Sequence, residues 1–172
     1  MAESAMSQKE LINSLQSALQ EFDGVKVEKL IQQGLDVSHV YLDPQKYHNA
    51  LHELVLNYIA LPGIKECQKV HIKFIDTLVV LTENHLNIHD GDIKQQTALH
   101  LAASSCGVSQ ILRALLARGA RVNQPDNGHQ TALHKAVLHG SPEDVRTLLD
   151  AGADPNHMDN MGHSPIHLAV KR

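Results

Sequence analysis

The chain writes nearly the same seven residues three times: Thr97-Ala-Leu-His-Leu-Ala-Ala103, Thr131-Ala-Leu-His-Lys-Ala-Val137 and Ser164-Pro-Ile-His-Leu-Ala-Val170. The step is 34 residues from Thr97 to Thr131 and 33 from Thr131 to Ser164. Other features keep the same step. Gly119-Ala-Arg-Val-Asn123 recurs as Gly152-Ala-Asp-Pro-Asn156, and Leu115-Leu116 recurs as Leu148-Leu149. Asp92, Asp126 and Asp159 each stand five residues before a block. A fixed period of this size marks stacked supersecondary units.

Local physics gives each unit its shape. Thr131 is placed to cap a helix by accepting from the amides that follow. Ala132, Leu133, Ala136 and Val137 supply one apolar face at helical spacing, and Gly140 ends the helix. Ser141-Pro-Glu-Asp144 starts the next: a capping serine, proline at the first helical position, acids in the first turn. Val145, Leu148 and Leu149 are its expected inner stripe. Gly152 suits the left-handed conformation that closes it. Asp159-Asn-Met-Gly162 has the residues of a tight turn. Each unit reads helix, turn, helix, hairpin-like loop.

This pattern resembles the ankyrin repeat, whose signature is close to Thr-Pro-Leu-His-x-Ala-Ala, then Leu-Leu-x-x-Gly-Ala, then a turn. The resemblance is specific over residues 92–172. It implies an all-α fold, a solenoid of stacked helix-turn-helix units with hairpin-like loops. The expected layout is one ankyrin-repeat domain over 1–172. It comprises an N-terminal capping repeat (7–40), a degenerate repeat with an extended second helix (41–91), two repeats (92–125 and 126–158) and a partial final repeat (159–172). Ser7-Gln-Lys-Glu10 is a capping box, followed by the stripe Leu11, Ile12, Leu15, Ala18 and Leu19. Val27, Leu30 and Ile31 form a second stripe, closed at Gly34. Asn49-Ala-Leu-His52 imitates a repeat opening, but Asn49 stands 48 residues before Thr97. An insertion must therefore lie between them. Leu61-Pro-Gly63 is a breaker. Ile64, Cys67, His71, Phe74, Ile75, Leu78 and Leu81 then share one helical face, which predicts a helix over 64–83. Two of the three turn glycines of the family pattern are replaced, by Gln95 and His129. The chain ends inside the first helix of a repeat, so Ile166, Leu168 and Val170 are expected to lack half their cover; either the last helix is a makeshift cap ending in Lys171-Arg172 or the chain is a piece of a longer protein, the favoured expectation.

The resemblance makes the recurrent histidines, His52, His100, His134 and His167, structural. Each ring bonds the residue three before it and loop backbone of an adjacent repeat. A metal reading competes, because His48 and His52, and His85 and His89, are four apart. Histidines delivered one per repeat do not converge on one ion, and no cysteine pair completes a set. No metal and no cofactor are expected.

The rest of the composition excludes classes. The 172 residues are 42% hydrophobic with net charge −4, which offers nothing to nucleic acid or an anionic membrane. No apolar run approaches the ~20 residues of a membrane span. The N-terminus lacks a signal core. Two distant cysteines, Cys67 and Cys106, suit a reduced intracellular setting, cytoplasmic or nuclear. No phosphate-binding glycine loop and no nucleophile–base constellation occurs, so the chain is not expected to be an enzyme.

Function is then read from exceptions to the repeat. The resemblance places binding on loop tips (Lys94, Gln96, Asn127, His129, Gln130, Asn160, Met161, His163) and first helices (Ser104, Lys135, Leu138, His139, Lys171). The expected function is that of a non-enzymatic protein–protein interaction module, an intracellular adaptor that is monomeric in isolation and binds a protein or peptide. The alternative is the targeting domain of a larger multidomain enzyme or bacterial effector. The insertion near 59–71 is either a docking element or a gap-filler. Asn123 and Asn156 are placed like asparagines that an asparaginyl hydroxylase modifies in ankyrin repeats, against the plainer reading of loop caps. Histidines in the surface strip predict affinity that changes below about pH 6.5; a flat titration between about pH 5.5 and 8 would reject this.

Overall fold

A computed structural model describes residues 7–38, 40–43, 45–61 and 68–170. Lys171, Cys67 and Ile64 lie outside the described residues. The chain divides into two compact units, Met1–Asn87 and Ile88–Arg172.

In the first unit, α1 (Gln8–Glu21) opens with Ser7 and Glu10 capping each other. Its stripe Leu11, Leu15, Ala18 and Leu19 is buried. α2 (Gly24–Gln32) packs on it, burying Val27 and Leu30. A hairpin follows, with β1 (Tyr41–Asp43) antiparallel to β2 (His48–Asn49). Asn49 then caps α3 (Ala50–Ala60), accepting from the amides of Leu51 and His52 at 3.0 and 3.1 Å. α4 (Gln68–Glu83) packs against α2 and α3. Phe22, Tyr58 and Phe74 meet edge to face or tilted at 4.9–6.4 Å and make the aromatic centre of this core. Of the stripe expected along α4, Phe74, Leu78 and Leu81 are buried, but Ile75 is exposed. The apolar arc of α4 is wider than the surface that α2 and α3 cover.

The second unit stacks helix pairs: α5 (Ala98–Ala103) with α6 (Ser109–Ala117), α7 (Ala132–His139) with α8 (Pro142–Asp150), then α9 (Pro165–Val170). First helices contact first helices (α5 with α7, α7 with α9) and α6 contacts α8. Gly140 caps α7; a Cβ there would lie 2.6 Å from the Ala136 carbonyl oxygen, which explains the glycine. Leu148 is buried and Val145 half-buried, but Leu149 is exposed. The inner face of α8 is instead shared by Asp144 and Thr147, both buried. Ile166 and Val170 on α9 are exposed and Leu168 is half-buried.

Asp144 is the polar centre of this unit. Its carboxylate closes the capping box with Ser141, accepting from the Ser141 N–H at 2.8 Å and hydroxyl at 2.7 Å. It also accepts from the N–H groups of Gly107 and Val108, at 2.8 and 3.1 Å, in the turn of the preceding repeat. One buried carboxylate thus caps its own helix and ties two repeats.

Two outcomes follow. Asp144→Ala strands the half-buried amide of Gly107 and the buried amide of Val108 and is expected to cost about 2–4 kcal/mol in denaturant titration; a loss equal to that of an exposed acid such as Asp150 would contradict the tie. Gln95 has φ 57°, where glycine is the unstrained residue. Gln95→Gly is therefore expected to stabilise by about 0.5–1 kcal/mol, the relief of left-handed strain less glycine's entropy; a lower Tm would show that the Gln95 side chain holds the turn.

Candidate functional site

The loop tips are built by aspartate. Asp92 Oδ1 accepts from the N–H groups of Lys94 and Gln96, both at 2.8 Å. Asp126 Oδ1 does the same for Gly128 and Gln130, and Asp159 Oδ1 for Met161 and His163. The same aspartates exchange backbone bonds across each turn, as in Asp126 N–H to the Gln130 carbonyl at 2.9 Å. Adjacent tips are laddered. Asn127 N–H donates to the Lys94 carbonyl at 2.9 Å, and Asn160 N–H to the Gly128 carbonyl at 3.0 Å. Burial would raise the Asp126 carboxyl, but Lys135, the Gln130 N–H and Gln96 outweigh it and hold it below its ordinary value. Asp159 is likewise held low, burial being outweighed by the His163 N–H, Gln130 and Met161.

Several residues expected at the binding surface are thereby tied into the framework. Gln96 and Gln130 donate to Asp126 and Asp159 of the next tip, at 3.3 and 3.2 Å. Lys135 bridges Asp126 at 2.8 Å and Gln130 at 2.7 Å. The amides of Asn127 and Asn160 hold the carbonyls of Ile93 and Asn127. Ser104 donates to the His100 carbonyl. Exposed residues include Lys94, Asn127, His129, His139, Asn160 and Met161, the last 77% accessible. Leu138 and His163 are half-buried, with His163 near Asp159 at 3.9 Å. Asn123 donates to the Gly152 carbonyl and accepts from the Asp154 N–H, the geometry of a loop cap.

The first-helix histidines are fasteners. The backbone N–H of Thr97 donates to His100 Nδ1 at 3.1 Å, and that of Thr131 to His134 Nδ1 at 3.1 Å. A backbone N–H only donates, so Nδ1 carries no proton and Nε2 does. Nε2–H then donates to a loop carbonyl of the next repeat: Gln130 for His100, His163 for His134, both at 3.1 Å. The threonine hydroxyls also bond Nδ1, at 2.9 and 3.0 Å. In each capping box the histidine plays the glutamate's part, and the threonine hydroxyl bonds that ring. Asn49 and His52 repeat this, with Asn49 N–H to His52 Nδ1 at 3.3 Å. Among the described residues no three His, Cys, Asp or Glu side chains gather as a metal site, and no helix is long and apolar enough to cross a membrane.

Paired short helices in register, aspartate-built tips and one fastening histidine per unit define a helical repeat protein. A family model described as ankyrin repeats (3 copies) matches residues 64–159, more than half of the chain. The chain belongs to the ankyrin-repeat family, an all-α repeat solenoid. Among relatives, the Neurogenic locus Notch protein of Drosophila melanogaster is 43% identical over 63 residues, 36% of this chain and 2% of that protein. The E3 ubiquitin-protein ligase KEG of Arabidopsis thaliana is 30% identical over 108 residues, 62% of this chain and 6% of that protein. NF-kappa-B inhibitor alpha of Sus scrofa is 36% identical over 86 residues, 48% of this chain and 26% of that protein. The chain thus spans about a quarter or less of the length of these relatives.

Burial lowers the pKa of both His100 and His134 from 6.5, against their bonds to the Gln130 and His163 carbonyls. Below about 6.5 the unfolded chain therefore binds protons that the folded chain refuses. Stability is full above that value and falls as pH drops through it toward the lowered folded values. Tm is expected to decline between pH about 6.5 and 5, with a shallower decline in His134→Gln; a flat Tm in that window would contradict neutral, fastening imidazoles.

Proposed function

We propose that this chain is a non-enzymatic recognition module that binds a protein or peptide through its loop tips and first helices. Ankyrin repeats mediate protein–protein interaction, and the family is typically non-catalytic. The observation that supports this surface is the division of labour in the second unit. The recurrent Asp, Thr and His side chains spend their polar atoms inside the stack. The variable side chains His129, His139 and Met161 are left exposed. A framework fixed by its own hydrogen bonds loses little conformational entropy on binding.

The contact set we propose is Lys94, Gln96, Ser104, Asn127, His129, Gln130, Lys135, Leu138, His139, Asn160, Met161, His163 and Lys171. Within it Leu138, His139 and Met161 supply the energy, because Gln96, Gln130 and Lys135 are already committed to Asp126 and Asp159. The layout proposed with it is a capping repeat over 7–40, an enlarged repeat over 41–91, and repeats from 92, 126 and 159. The setting is intracellular and the chain monomeric. A second reading, a targeting domain within a larger enzyme or effector, is favoured by one observation: the relatives are far longer proteins.

The test is affinity capture from lysate, comparing wild type with a variant carrying Leu138→Ser, His139→Ala and Met161→Ser at unchanged Tm. The variant is expected to lose its specific partners, a drop of about tenfold or more. Identical captured sets would place recognition elsewhere on the chain.

A further inference from the structure

In the first unit, α2 and α4 leave a groove between them. Gly24, the first residue of α2, lies against α4: a Cβ there would stand 3.3 Å from the Thr77 Cα and N. The start of α2 is thus fixed by close backbone approach. Beside that contact opens a groove of about 370 Å³, whose lining includes Asp23, Val25, Glu28, Lys73, Asp76 and Val80.

The lining carries three carboxylates against one ammonium. Asp23 gives one oxygen to the Lys26 N–H at 3.0 Å, the cap of α2. Glu28, Lys73 and Asp76 are exposed, and their side chains have no ion-pair or hydrogen-bond partner among the described residues. Acids alone would be ordinary solvated surface. Here they border exposed apolar side chains. Val25 lines the groove and is 65% exposed. Ile72, 58% exposed, stands four residues before Asp76 on the same face of α4, with the exposed Ile75 beside it.

We infer that this groove docks a basic amphipathic helix of a protein partner. The inference extends the recognition-module reading to the first unit and uses none of the loop-tip residues. Charge and hydrogen bonding choose the occupant. The unpaired carboxylates of Glu28 and Asp76 complement Lys or Arg, whose apolar stems cover Val25 and Ile72 while their heads reach the acids. Both walls are helices, which satisfy their own mid-helix backbone. An extended segment would find no ladder to join and would press unpaired N–H and C=O groups on apolar side chains. A helix arrives with its backbone already paired.

The test titrates three peptides of about 14 residues into the full chain, followed by backbone amide NMR. One has Leu at helical spacing and Lys elsewhere. The second has Glu in place of Lys. The third is the Leu-Lys peptide with two central prolines, which break its helix. Saturable shifts centred on Val25, Glu28, Ile72 and Asp76 are expected for the first peptide alone, with Kd near about 100 µM. Glu28→Lys with Asp76→Lys is expected to weaken it at least about tenfold, whereas the same charge reversal at the exposed Glu143 and Asp150 of α8 changes Kd less than about twofold. Ile72→Ser is expected to weaken it about fivefold. No saturable shift, shifts centred elsewhere, equal Kd for the Glu or the proline peptide, or equal effects of the two charge reversals would each overturn the inference. If the groove fails while the Leu138, His139 and Met161 surface still governs capture, the groove falls and the module reading stands.

Discussion

The second unit depends on an imidazole that is bonded at both nitrogens. Nδ1 closes the cap of its own helix and Nε2–H reaches the loop of the next repeat. The helices it serves are six residues in α5 and eight in α7. Such lengths have no stability in isolation. Their ends hold orphan backbone groups that water would otherwise satisfy. The histidine meets two of these needs with one ring, and only when two repeats are stacked. Helix formation and stacking are therefore the same event, and cooperativity along the unit has a chemical cause.

The aspartates extend the same logic to the loops. Asp126 receives two amides of its own turn, the Gln96 amide from the tip before it and the Lys135 ammonium. Asp144 receives two amides from the turn of the preceding repeat. In each case a group too costly to bury alone is buried because its donors come from two repeats. The charge is held low in pKa at Asp126 despite burial, so the network stays ionised. Removing a donor on one repeat is then felt on its neighbour.

What could be read from the sequence was whatever recurs at a fixed step or acts within a few residues. The 33–34 residue period, the capping boxes at Ser7 and Ser141 and the glycine at 140 all have local signatures. Asp144 was legible as a cap, but its bonds to Gly107 and Val108 span 37 and 36 residues and leave no local trace. Leu149 and Ile75 were misplaced for a different reason. Periodicity gives the direction of an apolar face but not the width of the arc that a neighbour covers. The polar fate of Gln96, Gln130 and Lys135 was also hidden. A solvated side chain and one spanning two tips look alike until the tips are superposed at the repeat distance.

The turn position two residues before each helix cap shows where this framework leaves room for recognition. At Gln95, His129 and Gly162 the backbone is held by the turn that the preceding aspartate closes, and φ is positive there whether the residue is Gln, His or Gly. Its side chain takes no part in the histidine or aspartate bonds that hold the repeats. Glycine at 162 gives the least strain and presents nothing. Gln95, His129 and Tyr47 accept strain and present an exposed side chain. Because the stack fixes the backbone independently of what is displayed, the side chain there is free to vary in chemistry without altering the fold, and the strain it introduces remains confined to one residue. A repeat whose interior admits little variation thus carries, in the copies that open at Asn49, Thr97, Thr131 and Ser164, one site where variation costs stability but not architecture.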